Sequence, residues 1–321
     1  MLKICQVDPG CGIPIPPPNW GAIEKIIWEL YKNLKEHPEI QVDIKMVGSI
    51  NPGEYDIVHC HVANLTKVLR EKNISYIFHL HDHHVVHYGK DSGAYKENLE
   101  AINNSLITLV PAKYLVNYLN PNKCIYFPHG INTKEFYPLG LNKSKPSNPK
   151  LLMIANNGLA GDSTFDRKGF KYGVGLAMLH NLPITIAGPN NNTHFFNENP
   201  WILGYNKLNL IFDLHNNKLV NLYRHHDIFL NPTMLEAGHP NLTMLEASSV
   251  GLPIIGDWEL ETDFHGAYRA PRDIFEMSRG LTNILENWNS YRVNCLKTAK
   301  ELDWENRTKH LIEIYNERRV N

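Results

Sequence analysis

The chain has 321 residues, 43% hydrophobic and 20% charged, with a formal net charge of -1. That length exceeds one ordinary core and predicts two domains, and the balance excludes a disordered chain. A net charge near zero also excludes a global pull toward nucleic acid or anionic membrane, leaving only local basic patches.

The five cysteines (Cys5, Cys11, Cys60, Cys124 and Cys295) are scattered, with no CxxC pair. This argues against a disulfide framework or a zinc ribbon, and for a reducing, cytoplasmic setting. The N-terminus, MLKICQVDPG, alternates like a strand and has no signal-peptide core. No apolar run is long enough to form a transmembrane segment.

In chain order, strands are predicted at Lys3–Val7, Val42–Val47, Ile57–Cys60, Tyr76–Leu80, Leu106–Val110 and Lys123–Phe127. Helices are expected between them, the first over Ala22–Leu34 with Ile23, Ile26, Ile27, Leu30 and Leu34 on one face. Residues 142–150, NKSKPSNPK, are polar and broken by two prolines, and are expected to form a linker. The pattern resumes at Leu151–Ala155 and continues through Ile184–Ala187, Leu208–Phe212, Ile228–Asn231 and Pro253–Gly256. An amphipathic helix over Trp304–Arg319, with Leu311, Ile312, Ile314 and Tyr315 as its apolar side, closes the chain.

Strands alternating with helices imply an α/β fold of two Rossmann-like, doubly wound parallel sheets facing a cleft. The expected domains are 1–141, the linker 142–150, 151–300, and a terminal helix in 301–321 that packs back on the first domain.

Several segments place polar or glycine residues at strand ends and helix starts. In PIPPPNWGAIEKIIWEL (residues 14–30), Gly21 and Ala22 open a helix whose free N–H groups suit a phosphate. In FPHGINTKEFYP (127–138) a glycine turn follows a strand. Asp166-Arg167-Lys168-Gly169 opens a helix, and two cations at a helix N-terminus are poorly placed unless an anion lies between them and the dipole. In NPTMLEAGHPNLTMLEASSVGLPIIG (231–256) a loop carries Glu236, Gly238, His239 and Asn241, and a helix begins near Leu242 with Glu246 one turn inside. Amides for a pyrophosphate beside a carboxylate for ribose hydroxyls would suit a nucleotide.

The run FHLHDHHVVHYG (78–89) packs five histidines and Asp82 between His79 and His87. Its spacing is H-L-H-D-H-H, not the H-x-H-x-D-H of zinc hydrolases, and no HExxH occurs. His79, His81 and His83 share one face if the strand stays extended. His81 and Asp82 are expected to face the cleft, with His59 and His79 as hydrogen-bonded core histidines and no metal site. A metal-dependent hydrolase built on His79–His87 is the alternative from another class.

Together these motifs resemble, almost end to end, a retaining GT-B glycosyltransferase of family four. PPPNWGAIEKIIWEL is similar to that family's glycine loop, and DIVHCH (56–61), FPHGIN with Phe136 and Pro138, and RKG (167–169) follow in order. LVNLYRHHDIFLNPT (219–233), LEASSVGLPII (245–255) and the Trp-led tail complete the series. The resemblance implies transfer of a sugar from a UDP-, GDP- or ADP-linked donor to an acceptor hydroxyl of a glycan, lipid or protein. The donor is a substrate, and no cofactor is implied.

By the same resemblance His81, Asp82, Lys168 and Glu236 are catalytic, with His81 beside the donor sugar. Donor binding falls to Gly21, Ala22, Arg167, Lys168, Gly188, Gly238, His239, Asn241, Leu242 and Glu246. Glu246 matches the second of the family's paired glutamates. Gly238 stands at the first, with Glu236 two residues earlier, and Asn156-Asn157 stands where the family has Gly-Arg. Two further alternatives follow: a phage-type enzyme acting on hydroxymethylated DNA bases, suggested by His81-Asp82-His83, and a non-catalytic sugar-nucleotide binder.

Overall fold

The computed structural model describes every residue except 19–20, 82–83, 88, 141–142, 157–165, 235–239, 257–263 and 320–321, and leaves out the side chains of residues 84, 87 and 216. The chain divides into two compact units. One comprises residues 1–130 and 302–321, the other 131–236 and 240–301.

The first unit is built on a six-stranded sheet: β1 (Leu2–Asp8), β2 (Ile40–Met46), β3 (Ile57–Cys60), β4 (Ile77–His79), β5 (Thr108–Val110) and β6 (Cys124–Tyr126), in the order β2-β1-β3-β4-β5-β6. All its pairings are parallel; Ile4 of β1, for example, lies between Val42 and Ile57. Its inner strands β3, β4 and β5 are buried along their whole length, which explains why they carry little polar alternation. The helix Ala22–Lys35 buries Ile26, Ile27, Leu30 and Leu34 as expected, while Ile23 is only partly buried and Glu24 is buried instead.

The helix Trp304–Glu317 belongs to this unit and packs against the helix Ala22–Lys35. Asp303 caps it, accepting from the Glu305 amide at 2.8 Å. Its buried stripe is Trp304, Thr308, Leu311, Ile314 and Tyr315. Each large apolar side chain so removed from water stabilises the unit by about 1.5–3 kcal/mol before entropy is counted.

The second unit carries β7 (Leu151–Ile154), β8 (Ile184–Gly188), β9 (Leu208–Phe212), β10 (Ile228–Asn231), β11 (Ile254–Gly256) and β12 (Ala267–Arg269), ordered β12-β11-β10-β7-β8-β9 and parallel throughout. Numbered from β7, this is the 3-2-1-4-5-6 strand order of dinucleotide-binding sheets. The direction of winding reverses between β7 and β10. The short strand β12 was not expected from the sequence.

Residues 143–150 are pinned to this unit. Lys143 Nζ lies 2.7 Å from Asp227 Oδ1, and Asp227 Oδ2 accepts from the Lys150 amide at 2.8 Å. Trp288 Nε1 donates to the Lys143 carbonyl at 3.0 Å. Among the described residues no helix is long and apolar enough to cross a membrane, and all five cysteines are free thiols.

Candidate active site

In the second unit the carboxyl ends of β7 and β10 flank the reversal, the place where such sheets bind ligands. The turn 166–169 is docked there. The Met234 amide donates to the Arg167 carbonyl at 3.0 Å, and Arg167 Nη2 donates to the Asn156 carbonyl at 2.8 Å. Gly169 has φ 72°, and a Cβ there would approach Pro232 Cγ to 2.8 Å and press on the Pro232 carbonyl oxygen. Only glycine satisfies both the left-handed backbone and the close approach.

The cation pair of this turn was expected to call for an external anion. The chain supplies one itself. Asp166 accepts from the Phe170 amide at 2.8 Å and the Lys171 amide at 2.9 Å, so its carboxylate sits on the amino end of the helix Phe170–Leu179. Burial raises the Asp166 pKa, opposed by those two amides and by Arg272, 3.9 Å away. Lys168 is partly buried on the same turn.

Glu246 lies in the helix Leu242–Ser249 and is buried. Its Oε2 accepts from the Tyr223 hydroxyl at 2.7 Å. A carboxylate offers about four lone-pair positions, so Tyr223 uses one. Burial, and then the Glu246 charge, hold the Tyr223 phenol well above its ordinary pKa, so it remains a donor. Asn241, expected to contribute its amide to a phosphate cradle, caps this helix with its side chain, accepting from the Met244 amide at 3.0 Å. Asn241 Nδ2 and the Thr233 hydroxyl both donate to Asn231 Oδ1 at 3.2 Å, which ties the end of β10 to the start of the helix. Leu242 is its first residue and is partly buried.

Gly188 ends β8. A Cβ there would come within 2.5 Å of the Ala155 carbonyl oxygen, which already accepts from Asn192 Nδ2 at 2.8 Å. Packing alone therefore accounts for that glycine. Asp82, Glu236, Gly238 and His239 lie outside the described residues.

In the first unit Gly21 caps the helix Ala22–Lys35 with φ 138°. A Cβ on it would lie 2.8 Å from Glu24 Oε2 and 3.1 Å from Ile13 Cγ2. Ala22, the next residue, is exposed. Glu24 was missed in the sequence, where a charged residue in a first turn reads as solvent-facing. Burial raises its pKa, and Asp8 adds to the rise.

The histidines gather at the carboxyl ends of β3, β4 and β6. His59, His61, His79, His81 and His129 are all buried. His61 Nδ1 lies 2.9 Å from His81 Nε2, and His81 Nδ1 lies 3.3 Å from His129 Nε2. Gln6 Oε1 meets His61 Nε2 at 2.7 Å, and the Tyr315 hydroxyl meets His59 Nδ1 at 2.6 Å. The expectation of hydrogen-bonded core histidines holds for His59 through its Nδ1 and fails for His79. Neither nitrogen of His79 has a hydrogen-bond partner among the described residues, nor does His59 Nε2. Each such buried polar atom costs about 1–3 kcal/mol. The shared face expected for His79, His81 and His83 was tied to an extended strand; β4 ends at His79, yet the His79 and His81 ring centroids lie 4.1 Å apart, and residue 83 is outside the described residues. Burial pushes the His59 pKa down to about 3 and holds His61 and His79 well below the usual range, so these three rings are neutral.

No protein-family model and no curated protein sequence matches the chain. Solved structures do. Sucrose-phosphate synthase from Thermosynechococcus elongatus superposes with a TM-score of 0.77 at 15% identity, covering 99% of both chains. Anabaena HepE, solved in complex with UDP and glucose, gives 0.72 at 12% identity over 98% of this chain and 100% of its own. A glycosyltransferase from Rickettsia africae gives 0.70 at 14% identity over 99% of this chain and 98% of its own. With two six-stranded parallel sheets flanked by helices, the chain has the GT-B fold of these proteins.

Proposed function

We propose that the protein is a glycosyltransferase whose second unit holds a nucleoside diphosphate sugar. The observation that carries this reading is the convergence of the Arg167–Lys168 turn and the Glu246 helix at the winding reversal of a 3-2-1-4-5-6 sheet. Glu246 accepts from the ribose hydroxyls, with Tyr223 fixing its carboxylate. Lys168, helped by Arg167, offsets the diphosphate charge, so the transfer itself calls for no divalent ion. HepE binds UDP, which makes UDP-sugars the first donors to test, followed by GDP- and ADP-sugars.

The reaction retains anomeric configuration. The acceptor oxygen bonds to the anomeric carbon on the face the diphosphate leaves, the carbon–phosphate-oxygen bond breaks, and the acceptor proton passes to the departing phosphate. The protein contributes positioning and charge stabilisation. The acceptor is a hydroxyl of a glycan, lipid or protein, and the free thiols suit a cytoplasmic enzyme.

Donor titration with Glu246→Ala and Lys168→Ala tests the reading. Loss of charge-assisted bonds to the ribose lowers donor affinity at least about tenfold in Glu246→Ala. Lys168→Ala lowers kcat about a hundredfold with little change in stability. Absence of binding by any sugar nucleotide, or unchanged kinetics in both variants, overturns the assignment.

A further inference from the structure

We propose that His79, His81 and His129 form a binding site for a borderline transition-metal ion such as Zn²⁺, Ni²⁺ or Co²⁺. One ring nitrogen from each of these residues lies within 4.8 Å of the others, and all three residues are buried. Imidazole-only ligation selects such ions over Mg²⁺ and Ca²⁺, which require oxygen.

Donor and acceptor roles single out these three. The Gln6 amide nitrogen donates to the Tyr315 hydroxyl at 3.2 Å, so its carbonyl oxygen faces His61 and must accept from His61 Nε2. A neutral His61 then has a bare Nδ1, which accepts from His81 Nε2. With Nε2 of His81 donating to His61, its Nδ1 is the nitrogen turned toward His129 Nε2. That last separation, 3.3 Å, is long for a hydrogen bond within this chain of rings. It matches the edge of about 3.4 Å between two nitrogens bound tetrahedrally to zinc at about 2.0–2.1 Å.

His79 supplies the third corner. Its ring centroid lies 4.1 Å from that of His81, and its two nitrogens have no hydrogen-bond partner among the described residues. Closing the corner needs a shift on the order of 1 Å. The metal takes the place of the proton between His81 and His129, which moves to His129 Nδ1 so that the ring stays neutral. His81 Nε2–H goes on donating to His61, itself held by Gln6, which is the outer-shell support a ligating histidine usually has. The other trio, His59, His61 and His79, is less suited, since both His61 nitrogens are already engaged. The ion would tie the segment after β4 to the segment after β6, and His81 would be its ligand in place of the sugar contact the resemblance implies.

The test uses the full chain, stripped with chelator and titrated with Co²⁺, Zn²⁺, Mg²⁺ and Ca²⁺. Expected are the visible bands of nitrogen-ligated Co²⁺ at one ion per chain, displacement by Zn²⁺, and a Tm raised several degrees by Zn²⁺ but not by Mg²⁺ or Ca²⁺. His129→Gln and His79→Phe are expected to weaken Zn²⁺ binding more than about a hundredfold, and Gln6→Leu about ten- to a hundredfold. Zinc-edge X-ray absorption on the unaltered chain, expected to count three imidazoles, keeps the test decisive if a variant does not fold. No Co²⁺ spectrum and no Tm response overturn the site, as do fewer than three imidazoles or undiminished binding in the folded variants, which would place the ion on surface histidines. None of these readouts needs a sugar donor, so their outcome is separate from that of the donor titration.

Discussion

The indole of Trp304 lies flat against Gly130, so close that a Cβ on Gly130 would come within 2.6 Å of Trp304 Cε3. Two segments that look unrelated in the sequence, the FPHG turn and the Trp-led tail, are thus one packing unit. Gly130→Ala overpacks it and is expected to cost about 1–3 kcal/mol, and Trp304→Ala leaves a cavity costing about 3–5 kcal/mol. Urea unfolding reads both, and a Gly130→Ala chain as stable as the unaltered one would show that the indole gives way freely.

Gly169→Ala combines a left-handed backbone with a collision against Pro232. The expected outcome is displacement of the 166–169 turn, with weaker donor binding than a stability loss of about 1–3 kcal/mol alone would produce. Donor titration beside thermal unfolding separates the two effects, and intact donor affinity would count against a role for this turn.

Tyr223→Phe removes one hydroxyl and with it one hydrogen bond to the buried Glu246 carboxylate. A stability loss of about 1–3 kcal/mol is expected, together with weaker donor binding as the carboxylate loses its fixed direction. A calorimetric titration that finds full donor affinity would show that Tyr223 serves packing alone.

His226 is buried, with Nδ1 donating to the Leu222 carbonyl at 2.7 Å and Nε2 accepting from the Thr185 hydroxyl at 2.9 Å. Burial lowers its pKa, against opposing contributions from Leu222 and Asp227. The unfolded chain therefore takes up this proton first. Its contribution is intact above about pH 6.5 and is lost as pH falls below that, by at most about 1.4 kcal/mol per pH unit. Unfolding free energies of the unaltered chain and His226→Gln should converge as pH drops from about 7.5 to about 5.5. Parallel curves would remove His226 from the acid response.

The sheets were legible because parallel strands are buried on both faces and leave continuous apolar runs, as in Leu151–Ile154 and Ile228–Asn231. The strand Ala267–Arg269 was not, since three residues, all at least partly exposed, carry no such run. Glu246 could be picked out by its place after a strand and a capped turn. Its partner Tyr223 could not, because a tyrosine on the apolar stripe of a helix looks like filling until the hydroxyl is located. Tyr315 had the same disguise: on the apolar side of its helix, it proves to be the polar link between Gln6 and His59. Of the histidine run only His79 and His81 could be picked out as members of the buried group; His61 and His129 come from the segments after β3 and β6, and the hydrogen bonds depend on Gln6 of β1 and Tyr315 of the C-terminal helix, which no local spacing encodes.

Asp166 has a consequence for how a ligand would be received. With its own carboxylate already seated on the helix end, the Arg167–Lys168 turn keeps its shape when no phosphate is near. On the proposed reading an incoming diphosphate would meet a standing charge instead of having to assemble one, so little freedom would be surrendered on arrival and selectivity would fall to the groups that grip the rest of the molecule.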